Sequence, residues 1–223
     1  MCGRFTAVNV KEFYEKYELS DRLPSLQASY NIAPSHEIPA IVGTNEGNRL
    51  LMLRWGLIPS WSKDDSFAFK MINARAETID QKPSFKNLLT RRRCLIPADG
   101  FFEWKKEEKS KTPYRFILEN EKPFAFAGLW DSWKNEKGET LYTFTIVTTS
   151  PNKMIEEVHD RMPVILNDQG EKIWLDPNTE DKKVLKELLI PYPSELMDKY
   201  QVSSYVNSSR NPGPKAIERV SSS

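Results

Sequence analysis

Cysteine and histidine are scarce in this chain, with two of each among 223 residues, and that scarcity removes whole classes of chemistry. A disulfide scaffold has nothing to build on. A four-cysteine zinc site is impossible, and a site of two cysteines and two histidines would need Cys2, Cys94, His36 and His159 together, at spacings that match no zinc finger. No metal and no cofactor is expected. Charge of one sign is also lacking. The 32 basic and 31 acidic side chains give a net charge of +1, so no global field draws nucleic acid or an anionic membrane. Long apolar runs are missing, both the core of a signal peptide near the start and the ~18 consecutive apolar residues of a spanning helix. The expectation is a reducing cytoplasm, both cysteines as thiols, and no membrane partner.

Internal repeats, low-complexity stretches and Gly/Ser linkers are absent too, and the 15 prolines are scattered. This predicts one domain over 1–213 followed by a disordered tail over 214–223. Asn9 with Glu12 three residues on has the form of a capping box, and Phe13 and Tyr17 sit at helical spacing, so a helix is expected over 10–19. Others are expected over 84–93, 151–158 and 180–189, the last carrying the stripe Val184, Leu185, Leu188 and Leu189. Most of the remainder reads as strand. Hairpins are expected from 38–43 with 49–55 and from 114–119 with 123–130, and Tyr142, Phe144 and Ile146 alternate with Thr143, Thr145 and Val147. With no βαβ rhythm, the fold class expected is α+β, with a mainly antiparallel, barrel-like β core and short peripheral helices.

Cys2 follows the initiator methionine, and so small a residue permits removal of Met1. The product carries an α-amine and a thiol on adjacent carbons. An α-amine has a pKa of ~8 against ~10.4 for lysine, so part of it is neutral and nucleophilic near pH 7. It can condense with an aldehyde to a Schiff base, which the thiol then closes to a thiazolidine. It can equally serve as the base for thiol attack on an amide. A small buried hydrophobe at a chain end accounts for Cys2 as well.

Five segments occur in order: MCGRF at the start, YNIAP at 30–34, INARAET at 72–78, PADGFFEW at 97–104 and HDRMP at 159–163. Together they resemble the signature of the SRAP (SOS response-associated peptidase) family, the abasic-site sensors, and the VSSYVN to NPGP stretch over 202–214 is similar to the family's closing strand and loop. The resemblance implies recognition of abasic sites in single-stranded DNA and covalent trapping of the sugar aldehyde on Cys2. Phe102 stands where the family often has tyrosine, so a hydroxyl contact is missing there.

The resemblance gives Glu103 a proton-transfer role in sugar ring opening or imine formation. On its own, a carboxylate among aromatics has its pKa pushed up toward useful acid–base range, while a solvent-facing strand glutamate fits the same pattern. His159 is assigned to proton transfer around the imine and to reversal of the crosslink. An unperturbed histidine titrates near 6.5, and a plain surface histidine is the alternative; His36, outside any motif, is read as structural. Asn73 and Arg75 share one face if 72–78 is a strand, and the family places Asn73 in the active site and Arg75 on DNA; an edge strand's polar face is the other reading. Arg4 and Arg161 are expected phosphate contacts. Asn31 either lines the site or forms a turn, and Trp61 is expected to stack on a base, an interaction worth roughly 1–3 kcal/mol.

The near-zero total charge hides an asymmetry. Residues 74–93 hold six basic side chains against two acidic, and 154–198 hold five against eleven. The run Arg91, Arg92 and Arg93 reads either as a phosphate-tracking stripe or as a complement to a helix dipole. The expected partner is single-stranded DNA carrying an abasic site, bound by a monomer in the cytoplasm, on the nucleoid when DNA is damaged. An N-terminal-nucleophile cysteine peptidase or amidohydrolase is the alternative, and a plain nucleic-acid-binding module without covalent chemistry is a third reading.

Overall fold

Alternation of apolar and polar side chains dominates the chain, and strands follow from it. The computed structural model describes residues 2–17, 27–108 and 110–220. Among them the strands are β1 (Phe5–Ala7), β2 (Ser29–Ile32), β3 (Glu37–Thr44), β4 (Gly47–Trp55), β5 (Asn73–Arg75), β6 (Arg93–Ala98), β7 (Gly100–Lys106), β8 (Lys111–Leu118), β9 (Phe124–Lys134), β10 (Thr140–Thr149), β11 (Met162–Pro163), β12 (Ile165–Leu166) and β13 (Met197–Gln201). Between them lie the short helices α1 (Lys11–Lys16), α2 (Leu88–Arg91), α3 (Lys153–Glu156), α4 (Asp168–Leu175) and α5 (Lys182–Glu187).

Strands β10, β4, β3, β6 and β9 pair in that order, and β9 pairs back onto β10, closing a barrel. The contacts of β10 with β4 and β5 are parallel; the other pairings are antiparallel. A second, antiparallel sheet runs β13-β8-β7-β1-β2. This is the α+β, barrel-like architecture the patterning predicts.

Side chains pointing into the barrel, among them Leu53, Trp55, Ile96, Phe126 and Phe144, form one buried cluster, and Phe5, Phe101 and Phe116 of the second sheet complete it. Alternate residues of the same strands, such as Ala125, Ala127 and Leu129, point outward and pack with Trp174 of α4 and Leu185 of α5. Phe5 makes edge contacts with Trp55 at 5.2 Å and Phe126 at 5.6 Å. Burying one such ring stabilises by ~1.5–3 kcal/mol, and here it fixes the chain three residues from Cys2.

A polar anchor works beside it. Asp99 accepts hydrogen bonds from Thr6 Oγ1 (2.5 Å) and from the backbone N–H groups of Val8 (2.6 Å) and Asn9 (2.7 Å), and pairs with buried Arg115 at 3.1 Å. Next to it a Cβ on Gly100 would meet Arg115 Nε at 2.6 Å, so a larger residue would displace the guanidinium from this pair. Removing one partner of a buried pair leaves an uncompensated charge and costs about 3–5 kcal/mol. We therefore expect Asp99→Ala to lower unfolding stability in urea by that amount, and a loss below about 1 kcal/mol, the range of exposed pairs, would show that Asp99 is not the anchor.

Several sequence expectations are corrected. The Asn9–Glu12 capping box does not form. Val10 is the N-cap of α1, without a side-chain cap, and Asn9 donates to Asp99 instead. The helix covers Lys11–Lys16, and Leu19 lies outside the described residues. The helix expected over 84–93 shrinks to Leu88–Arg91 because Arg93 enters β6. The hairpin 38–43 with 49–55 forms as β3–β4, turning at Gly47 with φ 114°. That of 114–119 with 123–130 does not, because Asn120 and Glu121 adopt positive φ and β8 and β9 belong to different sheets. β8 pairs with β7 and β13 instead. The tail expected to be disordered from 214 is ordered to 220: Pro214–Ile217 forms a 3-10 turn with Ala216 buried, and Arg219 bridges to Val202. Residues 221–223 lie outside the described residues.

Candidate active site

The register of β1 on β7 decides where the N-terminus goes. Phe5 pairs with Phe101 and Thr6 with Gly100, and the Phe102 N–H donates to the Arg4 carbonyl at 2.9 Å. Continued, the same register sets Gly3 opposite Glu103 and delivers Cys2, fully buried, beside that carboxylate. β5 approaches from the barrel: Ala74 packs in the outer cluster with Ala125, Ala127 and Leu129, and the Asn73 amide turns the other way to donate to the Cys2 carbonyl at 2.9 Å. The Asn73 Oδ1 is buried and has no hydrogen-bond partner among the described residues, leaving an acceptor beside Cys2 of a kind that native structures seldom leave open.

His159 follows α3, whose end it caps through its N–H to the Ile155 carbonyl at 2.8 Å. Its Nε2 stands 3.9 Å from Glu103 Oε2. At Nδ1 two neighbours make opposite demands: the Arg161 N–H donates at 3.1 Å, whereas Asp160 Oδ1 at 2.9 Å wants a proton there. Burial holds the His159 pKa below its ordinary value, so the neutral ring is favoured, with Nδ1 accepting from Arg161 and Nε2–H facing Glu103.

Burial pushes the Glu103 carboxyl up to about 7, and the charge of Asp160 acts in the same direction. Burial, with the Glu103 charge behind it, also raises the Cys2 thiol well above its ordinary pKa, so it rests as S–H. The Glu103 side chain is 3% exposed and that of His159 22%. A buried acid that titrates near neutrality thus touches a histidine that reaches solvent, which can carry protons in and out. Outside them a cavity of about 340 Å³ is lined by Glu103, Trp104, Lys106, Lys111, His159 and Asn207. Larger cavities, of about 490 Å³ around Glu171 and about 550 Å³ at the β9–β10 end, contain none of these groups. Among the described residues no group of three or more His, Cys, Asp or Glu side chains is placed to hold a metal ion.

The structure thus brings together Cys2, Asn73, Glu103 and His159, and it distributes the expected DNA contacts differently from the sequence reading. Asn31 is buried, and its amide donates to the carbonyls of Ser208 and Asn211, each at 3.0 Å, while its Oδ1 accepts from Arg4 Nη1 at 2.8 Å. Arg4 also reaches the Val206 carbonyl at 3.0 Å. The two form a clamp on the C-terminal loop, because every polar atom of Asn31 is consumed internally. Arg161 is committed as well, to a bidentate pair with Glu77 (2.6 and 2.9 Å) and to the Thr148 carbonyl (2.7 Å). Its guanidinium fixes the turn whose N–H orients His159. In the arginine run, Arg93 is buried with bonds to the Leu89 and Trp174 carbonyls, and Arg92 lies 4.3 Å over the Trp130 ring, so no continuous stripe exists. Arg75 is exposed at the end of β5. Trp61 is 60% exposed, edge-on to Phe67 at 6.3 Å, with Phe69 74% exposed nearby in sequence.

The sequence reading overlooked Glu77, Asp99, Lys106, Lys111 and Asn207. A signal existed for two of them, since Glu77 lies within INARAET and Asp99 within PADGFFEW.

A family model described as SOS response associated peptidase (SRAP) matches residues 1–209. "Abasic site processing protein YoqW" of Bacillus subtilis is 50% identical over 222 residues, covering 98% of this chain and 99% of that protein. "Abasic site processing protein HMCES" of Gallus gallus is 33% identical over 225 residues, covering 85% of this chain and 65% of that protein. A crystal structure of a protein from Bacteroides thetaiotaomicron superposes with a TM-score of 0.81 at 30% identity, covering 96% of this chain and 91% of that one. With the family match running through β13 and the relatives aligned over nearly its whole length, this chain belongs to the SOS response associated peptidase (SRAP) family.

Proposed function

We propose that this protein processes abasic sites in single-stranded DNA, capturing the ring-opened sugar aldehyde as a thiazolidine on Cys2 once Met1 has been removed. The observation that carries the reading is the enclosure of Cys2 between the Asn73 amide and a Glu103 carboxyl that titrates at about 7. The names of the relatives, abasic site processing proteins, agree with it.

The chemistry balances with these groups alone. The protonated Glu103 gives its proton to the ring oxygen and takes up that of the anomeric hydroxyl, which opens the sugar to the aldehyde and leaves Glu103 an acid again. The Cys2 α-amine adds to the carbonyl carbon, and Glu103 gives a proton to the departing hydroxyl, so water leaves and an iminium remains. The Cys2 sulfur then attacks the iminium carbon and its proton passes to the Glu103 carboxylate, which restores the acid. Aldehyde and aminothiol have become thiazolidine and one water. His159 exchanges the protons of Glu103 with solvent. Asn73 holds the Cys2 carbonyl, and its free Oδ1 is placed to accept from the amine or from a sugar hydroxyl.

Single-stranded substrate suits a buried N-terminus, because an unpaired lesion reaches it without the cost of extruding a nucleotide from a duplex. Exposed Arg75 is the phosphate contact, and Trp61 with Phe67 and Phe69 offers a stacking surface. Arg4, Asn31 and Arg161 hold the site's walls. The peptidase or amidohydrolase reading is weaker, since it begins with a thiolate that burial at Cys2 opposes.

Intact-mass measurement after incubation with an abasic oligonucleotide tests the proposal. The expected product has the mass of protein lacking Met1 plus oligonucleotide less one water, and it survives without borohydride. Ammonia release from glutamine, or turnover of a peptide, with no such adduct would favour the hydrolase.

A further inference from the structure

Lys106 and Lys111 stand directly opposite each other across β7 and β8, so their side chains share one face, where like charges repel. Neither ammonium group has an acidic partner among the described residues. Both open onto the cavity at whose back lie Glu103 and His159. Asn207 faces them from the C-terminal loop. Its Oδ1 accepts from the Trp104 indole N–H at 2.7 Å, which turns its amide N–H groups away from the indole, and they have no partner among the described residues. The loop that carries Asn207 is itself fixed by Arg4 and Asn31 at Val206 and Ser208.

This arrangement holds two like charges and an amide donor around one opening; Glu103 at its back is the one acid in its described lining, and neither lysine has an anion as partner among the described residues. A phosphodiester supplies one: a single negative charge with acceptor oxygens, small enough for a cavity of about 340 Å³. We infer that Lys106, Lys111 and Asn207 form a seat for the backbone phosphate adjoining the captured sugar. The inference rests on the abasic-site reading of Cys2 and adds to it a determinant of strand polarity. The seat lies on one side of the Cys2–Glu103 centre, so it takes the phosphate on one side of the lesion and the strand enters in one direction.

The test uses the full-length protein, a Lys106→Ala/Lys111→Ala variant, and single-stranded DNA bearing a tetrahydrofuran abasic analogue, which has no aldehyde and reports binding alone. One phosphate contact on a single strand contributes about 0.7 to the slope of log affinity against log salt. The variant is expected to bind more weakly at low salt, with its slope reduced by about that amount. Replacing one of the two flanking phosphates by a neutral methylphosphonate should then bring wild type down to the variant and leave the variant unchanged. Equal salt slopes for the two proteins, or methylphosphonates that weaken both equally at either position, would overturn the seat. A wild type that fails to crosslink authentic abasic DNA overturns the reading of Cys2 instead, so the two failures are told apart.

Discussion

Cys2→Ala is expected to abolish the stable crosslink while leaving a Schiff base that borohydride can trap. Alanine keeps the α-amine and removes only the sulfur, so the iminium still forms but has nothing to close it. Wild type should give an adduct that needs no reductant, and the variant one that appears only with reductant and vanishes on dilution without it. Side-chain size changes little at this buried position, so loss of fold does not explain the result. A variant that crosslinks as stably as wild type would remove the thiol from the chemistry. Loss of both species would point to a failure of Met1 removal, which the intact mass of the variant reads directly.

Glu103→Gln should slow crosslink formation by about 10²–10⁴-fold, the usual range for a positioned general acid or base. It should also change the pH profile. If the protonated acid drives ring opening and water loss, the wild-type rate falls as pH rises beyond about 7, and that limb is absent in the glutamine variant. Stability supplies an independent sign. Burial raises the native pKa above the ~4.3 of an unfolded glutamate, so the native state binds the proton more tightly. Wild type therefore loses stability as pH rises from the ordinary carboxylate range through about 7. Glutamine carries no charge to bury, so the variant should gain on wild type in urea unfolding at pH 8 and not at pH 4. A wild-type rate and pH profile in Glu103→Gln would exclude the carboxyl from the mechanism.

Cys2, Glu103 and His159 were legible in the sequence because their residue types are scarce or sit in distinctive motifs. The barrel was legible because alternation survives in single strands such as 140–149. What escaped depends on partners far away in sequence. Asn31 shows a turn-forming side chain to any local reading, and only the return of residues 206–211 makes it a clamp. Arg91, Arg92 and Arg93 look alike in a row, yet entry into β6 buries the third against α4. Arg161 seemed free for phosphate because Glu77 is 84 residues away. Lys106 and Lys111 became a pair only through hairpin register, which the sequence EEKS between them does not reveal. The failed hairpin at 114–130 turned on two residues with positive φ, neither of them glycine.

The clamp that Arg4 and Asn31 place on the C-terminal loop ties the order of synthesis to reactivity. Cys2 is the second residue to be made, while one wall of its pocket, Asn207 with the carbonyls of Val206 and Ser208, follows about 200 residues later. If Met1 is removed before these residues are in place, the aminothiol is open to other aldehydes. Closure by residues 203–217 encloses it only once they have been made, so the enclosure of Cys2 waits on a segment about 200 residues away.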